Sequence, residues 1–241
     1  MKLIKLNAID STNEYIKKNK LIFDKELVFV YTFNQTAGKG QRGKEWISQE
    51  YKNLCISFYQ QLSSKVSNDI FFKINMIISL KIVGFLKKFN IPKLSIKWPN
   101  DILSENKKIS GILIETSLKN SQLKDYIIGI GLNVNQTDFY NLINASSLKN
   151  ILKRDFDLNK LTKQFIDEFS DIPIKMDSVS LEDLKVEYLR NLYGTNSFLK
   201  YSFKGSEFMG QIVDVKSSEI IKMMVNNNVK TFNAKDLKLI Y

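Results

Sequence analysis

Histidine is missing from this chain altogether, and cysteine occurs once, as Cys55. The first absence removes the usual zinc ligand sets and the Ser-His and Cys-His nucleophile pairs that depend on an imidazole base. The second forbids an internal disulfide and fits a reducing compartment. Arginine is nearly absent too: Arg42, Arg154 and Arg190 are the full set, so the net charge of +11 is carried by lysine. Surfaces that read bases or clamp phosphodiesters lean on the planar arginine fork. The charge is therefore read as a lysine-coated surface without DNA binding, although it would attract an acidic partner or a nucleotide. Long hydrophobic runs are lacking as well. The best stretch, Phe71 to Phe89, carries Lys73, Lys81, Lys87 and Lys88, too costly for a bilayer helix. Met1 to Asn7 shows no signal-peptide pattern, so a cytoplasmic protein without membrane partners is expected.

What is present is ordinary globular material: 241 residues, 44% hydrophobic and 25% charged, enough to bury a real core. Strand and helix signals alternate from the start. Leu27–Tyr31 and Leu54–Phe58 read as strands, and Phe71–Phe89 repeats apolar residues at helical spacing, with Asn68 or Asp69 as cap and Pro92 beyond its end. Three β-rich runs follow, Leu94–Lys97, Ile112–Glu115 and Tyr126–Val134, then helices near Asn159–Phe169 and Leu181–Asn191. Past Gly194 the texture changes to short apolar segments separated by Gly205, Gly210 and an asparagine run. The expected organisation is α+β: a mixed-sheet domain with flanking helices over residues 1–194, and a small β-barrel over 195–241.

Several segments carry chemistry. Gln35-Thr36-Ala37-Gly38-Lys39-Gly40-Gln41-Arg42-Gly43-Lys44-Glu45-Trp46 follows a strand and combines conformational freedom with cations suited to phosphate. It is neither the P-loop nor the dinucleotide fingerprint, and alone it is equally a surface turn. Trp46 offers a flat face to a ring but fits a core position as well. In Lys97-Trp98-Pro99-Asn100-Asp101 the proline ends a strand, placing Lys97 and Asp101 where α/β proteins hold ligands; a turn with a surface ion pair is the plainer alternative. Lys108 and Gly111 open a buried strand, and Gly129 and Gly131 interrupt another, which marks close approach to the backbone. Ser11-Thr12-Asn13-Glu14 is a capping box, or a cluster of small hydrogen-bonding groups at a helix start.

Taken together and in order, Asp10–Asn13, Gln35–Trp46, Lys97–Asp101, Lys108–Leu113 and Gly129–Asn135 resemble the successive motifs of the biotin protein ligases, and the small terminal β unit extends the likeness. The resemblance implies ATP-dependent attachment of biotin to a lysine of a biotin carboxyl-carrier domain through biotinyl-AMP, with Mg²⁺ and without a resident metal. It implies that Ser11, Thr12, Asn13, Gln35, Gly38, Lys108, Gly111, Gly129 and Gly131 hold biotin. It gives ATP and the adenylate to Lys39, Gly40, Gln41, Arg42, Gly43, Lys44, Trp46, Asn100 and Asn133, and catalysis to Lys108, Arg42, Asp101 and Lys97. Trp46 would cover the adenine. Met1–Ile9 leaves no room for the winged-helix repressor domain of some members, so the monofunctional kind is expected, with a homodimer left open. The family's glycine-rich loop usually reads Gly-Arg-Gly-Arg-Arg-Gly; here Lys39 and Gln41 stand for two arginines, implying a weaker grip on the adenylate. The rivals are a lipoate–protein ligase, whose signature histidine is missing, and a non-catalytic module that captures nucleotide or nucleic acid.

Overall fold

The computed structural model describes residues 1–23, 26–65, 70–119, 122–140, 142–172 and 178–240. The chain opens with β1 (Lys2–Leu6), helix α1 (Thr12–Asn19) and β2 (Val28–Thr32). The glycine-rich segment folds as a miniature hairpin of β3 (Gly38–Lys39) and β4 (Glu45–Trp46). Then come β5 (Leu54–Lys65), α2 (Ile70–Lys87), β6 (Leu94–Lys97), β7 (Asp101–Ser104), β8 (Lys107–Lys119) and β9 (Gln122–Leu132). Helices α3 (Leu148–Leu152), α4 (Leu158–Phe169) and α5 (Leu181–Arg190) precede the terminal strands. The capping positions expected for α2, Asn68 and Asp69, lie outside the described residues.

Seven strands form one mixed sheet in the order β1-β2-β5-β9-β8-β7-β6. β1 and β2 pair parallel, and the other neighbours antiparallel. Strands β8 and β9 outrun the apolar runs that announce them, because each supplies the other's ladder partners beyond the hydrophobic stretch. The alternation of side chains then sorts the sheet's two faces. On one face Leu54, Ile56, Phe58, Ile112, Ile128, Ile130 and Leu132 join Phe72, Ile74 and Ile78 of α2 and Phe165 and Phe169 of α4 in the main core. Helix α2 is buried over much of its circumference, and its Lys81 ammonium is paired with Asp171 at 2.6 Å and donates to the Glu168 carbonyl at 2.5 Å. The opposite face has a small core under α1, made by Ile16, Phe23, Val28, Val30, Tyr59 and Ile127. Beyond it that face is left to other uses.

The C-terminal strands are β10 (Leu199–Phe203), β11 (Ser206–Val215), β12 (Ile220–Val225), β13 (Asn228–Asn233) and β14 (Leu237–Leu239). They form an antiparallel sheet in the order β13-β12-β11-β10-β14. The expected barrel is therefore an open sheet among the described residues. Its last strand is three residues long and pairs with β10, leaving no strand to join the two ends. This sheet packs against the first through Tyr201, Ile212, Val215 and Ile221, which belong to the main core cluster. The Ile212 amide donates to the Gly194 carbonyl at 2.9 Å across the junction.

Candidate active site

The unused part of the second face is the floor of a cavity of about 410 Å³. Cys55, Gly131, Gly111, Asp101 and Lys97 stand side by side on five successive strands, each paired with the next in register. Two adjacent glycines in that row make a flat shelf. A Cβ on Gly131 would lie 2.2 Å from the Trp46 ring, and one on Gly111 would lie 3.1 Å from the Trp46 ring and the Lys108 ammonium. Two residues along, Gly129 admits the Asn13 amide, whose oxygen lies 2.4 Å from where a Cβ would be. Each glycine is there because another group needs the space.

One end of the cavity is a neutral polar cluster. Ser11 caps α1 in extended backbone, accepting from the Glu14 amide at 3.5 Å. Gln35 Oε1 accepts from the Thr12 amide at 3.0 Å. The Ser57 hydroxyl donates to Asn13 Oδ1 at 2.5 Å and lies 2.6 Å from Thr12 Oγ1. Asn13 Nδ2 in turn donates to Glu115 Oε2 at 2.7 Å. Ser11, Thr12, Asn13 and Ser57 are nearly inaccessible to solvent, so the cluster is pre-arranged rather than assembled by a ligand.

The other end is cationic. Lys108 Nζ pairs with Asp101 Oδ1 at 2.7 Å and lies 5.4 Å from the Trp46 ring centre. Its direction has a local cause. Leu103 pairs with Lys108 while Ile102 pairs with Ser110, so Ile109 is an extra residue. That bulge sends Ile109 into the core and turns Lys108, which strict alternation would bury, onto the cavity face. Lys97 is half-buried, and the loss of water lowers its ammonium below the ordinary lysine value, an effect partly opposed by Asp101. Asn100 Nδ2 donates to the Ile112 carbonyl at 3.0 Å, tying the turn after β6 to β8.

The β3–β4 hairpin forms the roof. Its pairing of Gly38 with Trp46 and of Lys39 with Glu45 sends Trp46 inward and Lys39 to the opposite side. The tip is a tight turn in which Arg42 takes left-handed backbone (φ 56) beside Gly43 (φ 76). Lys39 reaches Glu14 Oε1 at 3.0 Å. The hydrogen bonds from Lys17 and Lys39 hold the Glu14 carboxyl below its ordinary value.

The structure thus brings together most residues singled out from sequence. Gly38, Gly43 and Asn133 do not line the cavity. Gly38 is squeezed against the Trp46 carbonyl, Gly43 shapes the turn, and buried Asn133 donates to the Ser146 carbonyl at 2.9 Å. Trp46, expected over an adenine, lies on the glycine shelf itself. Ser57, Glu115 and Glu14 were missed; the alternation of Cys55, Ser57 and Tyr59 around a polar residue was the available signal for the first. The C-terminal sheet contributes Tyr201, Ile212, Ile221, Leu237 and Lys238 to the lining, and Trp98 Nε1 donates to the Ser217 carbonyl at 3.2 Å. Nothing in the linear sequence pairs residue 98 with residue 217.

A glycine-floored slot with a fixed polar end, a cationic end and a hairpin roof defines a protein built to enclose one small ligand with a polar head and an anionic tail. The chain belongs to the biotin/lipoate A/B protein ligase family, whose model matches residues 6–133. It is 33% identical over 131 residues to the bifunctional ligase/repressor BirA of Salmonella typhimurium, a match covering 54% of this chain and 39% of that protein. The chain therefore spans about two-fifths of that relative. The BirA of Bacillus subtilis is 24% identical over 218 residues, covering 89% of this chain and 66% of the other. In fold it is similar to the biotin protein ligase of Aquifex aeolicus solved with biotin and ATP, at a TM-score of 0.77 and 24% identity, covering 99% of this chain and 98% of that one.

Proposed function

We propose that this protein is an ATP-dependent biotin ligase that makes biotinyl-AMP and passes the biotinyl group to a lysine of a biotin carboxyl-carrier domain. The observation that carries the reading is the continuity of one cavity from the Thr12–Asn13–Gln35 cluster, over the glycine shelf, to Lys108, Lys97 and Arg42. A ureido head has donors and acceptors for the polar end, a carboxylate finds the cations, and a fused bicycle would take the shelf as the Trp46 indole moves off it.

In the first step the biotin carboxylate attacks the α-phosphate of ATP, and pyrophosphate leaves. Lys108, Lys97 and Arg42 screen two anions that would otherwise repel, and they stabilise the charge on the transferring phosphorus centre. Lys39, Gly40, Gln41 and Lys44 belong to the roof that would exclude water from the mixed anhydride, with Asn100 in the wall below. Magnesium would arrive on the nucleotide phosphates: the cavity's lining carboxylates are Glu45 and Asp101, and no cluster of three metal-ligating side chains occurs among the described residues.

In the second step an acceptor amine attacks the acyl carbon and AMP leaves. About one such amine in 2,500 is neutral at pH 7, so a base is useful. Asp101 fills that role once the ligand carboxylate has taken over part of its claim on Lys108. The second unit, residues 195–241, closes the far wall and would meet nucleotide or acceptor there. No helix of the described residues is long and apolar enough to cross a membrane, and with one buried thiol the chain suits the cytoplasm.

The family also contains lipoate ligases. A dithiolane offers no hydrogen bonds to the Thr12, Asn13 and Gln35 groups, which a ureido head can answer. The test is pyrophosphate exchange into ATP with biotin and lipoate offered in parallel. Exchange driven by biotin is expected; exchange with lipoate alone moves the assignment to the sister activity, and silence with both removes it.

A further inference from the structure

One connected set of contacts runs from the roof of the cavity to its floor. Lys39 of the hairpin pairs with Glu14 Oε1 at 3.0 Å, and Lys17 reaches the same oxygen at 2.8 Å. Lys17 also reaches Glu115 Oε1 at 2.7 Å, while the other Glu115 oxygen accepts from Asn13 Nδ2 at 2.7 Å. Asn13 Oδ1 then accepts from Ser57 on the sheet floor. The signs alternate along the path. Burial pulls the Lys17 ammonium down, but the hydrogen bonds to Glu115 and Glu14 outweigh it, and the net direction is up.

The hairpin accordingly has two anchors of opposite kind. Inside, Trp46 rests on the Gly111–Gly131 shelf; outside, Lys39 is tied to α1. The register of β3 and β4 makes these simultaneous, because Lys39 follows Gly38, the partner of Trp46. Glu115 meanwhile fixes which way the Asn13 amide faces, since a carboxylate accepts and cannot donate.

We propose that Glu14 is a positioning residue that latches the glycine-rich hairpin shut through Lys39. The latch is shared, through Lys17 and Glu115, with the Asn13 amide that recognises the ligand head. The ligand-head amide and the seating of the roof on α1 then lean on the same set of ion pairs. Lys39 acts here as a latch rather than a phosphate ligand, and this part rests on the ligase reading above. The latch itself is a property of the free protein.

Two measurements separate these layers. The first needs no ligand: in a Trp98→Phe background, Trp46 is the only tryptophan, since the chain has two. Acrylamide quenching of Trp46 should rise in Glu14→Gln and in Lys39→Met, and rise no further in the double variant. In about 1 M salt, where the screening length is about 3 Å, the parent should approach the variants. The second is kinetic. Glu14→Gln should release biotin about two- to five-fold faster, the worth of a partly exposed ion pair, while adenylation at saturating biotin keeps its rate. Unchanged quenching, or additive effects in the double variant, overturns the latch whatever the ligand proves to be. A Lys39→Met variant slowed at saturating biotin, with Glu14→Gln unaffected, returns Lys39 to the phosphate and overturns the proposal. Failure of the parent to bind biotin at all would strike the ligase reading and leave the quenching result standing.

Discussion

The two faces of the seven-stranded sheet are built from the same strands in the same register, yet they have opposite contents. One presents Ile56, Ile112 and Ile130 to the helices; the other presents Cys55, Gly111 and Gly131 to a cavity. The core face gains stability by filling space with branched side chains that lose little freedom in a strand. The cavity face gives up that contribution at its glycines so that an indole, an amide and a ligand can lie against backbone. Folding energy is collected on one side and spent as shape on the other, within a single alternating pattern.

The sharpest break of this comparison sets Gly131→Ala against Ile56→Ala. A methyl at residue 131 collides with the Trp46 ring, so exchange activity should fall by about 100-fold or more with little change in melting temperature. Ile56→Ala should cost about 2–5 kcal/mol and lower the melting temperature by roughly 5–15 °C, while folded protein retains most of its activity. Calorimetry and exchange assays on both variants check the pair; parallel losses in both quantities would mean that the faces are not separable.

Next in size is the cationic row. Lys108→Ala should reduce adenylate formation by about 10²–10³-fold. Asp101→Asn should leave that step within a few-fold and slow transfer to the carrier by about 100-fold, read in single-turnover experiments that follow the two steps apart. Equal loss of both steps removes Asp101 as the base.

A pH profile sharpens the same row. Burial holds the Lys97 ammonium below the usual lysine value, so the charge is lost at lower pH than on an exposed lysine. Adenylation should decline on the alkaline side earlier than an ordinary lysine predicts, and Lys97→Arg should move that decline upward. For stability the sign is the reverse. The unfolded chain binds the proton more tightly, so the burial penalty present at neutral pH is relieved as pH rises between the lowered value and the ordinary lysine value of 10.5. Lys97→Met should lack that relief in alkaline denaturant titrations.

The smallest effect belongs to the polar end. Ser57→Ala removes one member of the cluster and leaves Asn13 Oδ1 without its donor. The KM for biotin should rise by about 3- to 10-fold with kcat nearly unchanged, consistent with one net hydrogen bond of about 0.5–1.5 kcal/mol. A fall in kcat of the same size would place Ser57 in the chemical step.

Much of this site was legible because its motifs are local. The capping box at Ser11, the glycines around Arg42 and the Trp98–Pro99–Asn100 turn each announce backbone behaviour within a few residues. Gln41 and Lys39 could be seen to depart from the family loop, but not where Lys39 would turn. Ser57 carried no mark beyond its place in an alternating strand, Glu14 was read only as part of a capping box, and Glu115 only as the end of a β-rich run. The terminal strands were legible one by one, but not whether the sheet would close.

The sequence by itself determined the longer elements, the α+β class and the residue types available for an anion, because turn chemistry and side-chain period act over short spans. Tertiary structure alone decided which of those residues meet. A one-residue bulge at Ile109 chose the face of Lys108, the register of two strands put Gly111 beside Gly131, and packing of the second sheet set Ser217 against Trp98. Contacts of that kind depend on ladder registers and packing summed over the whole chain, and no local stretch of residues encodes such a sum.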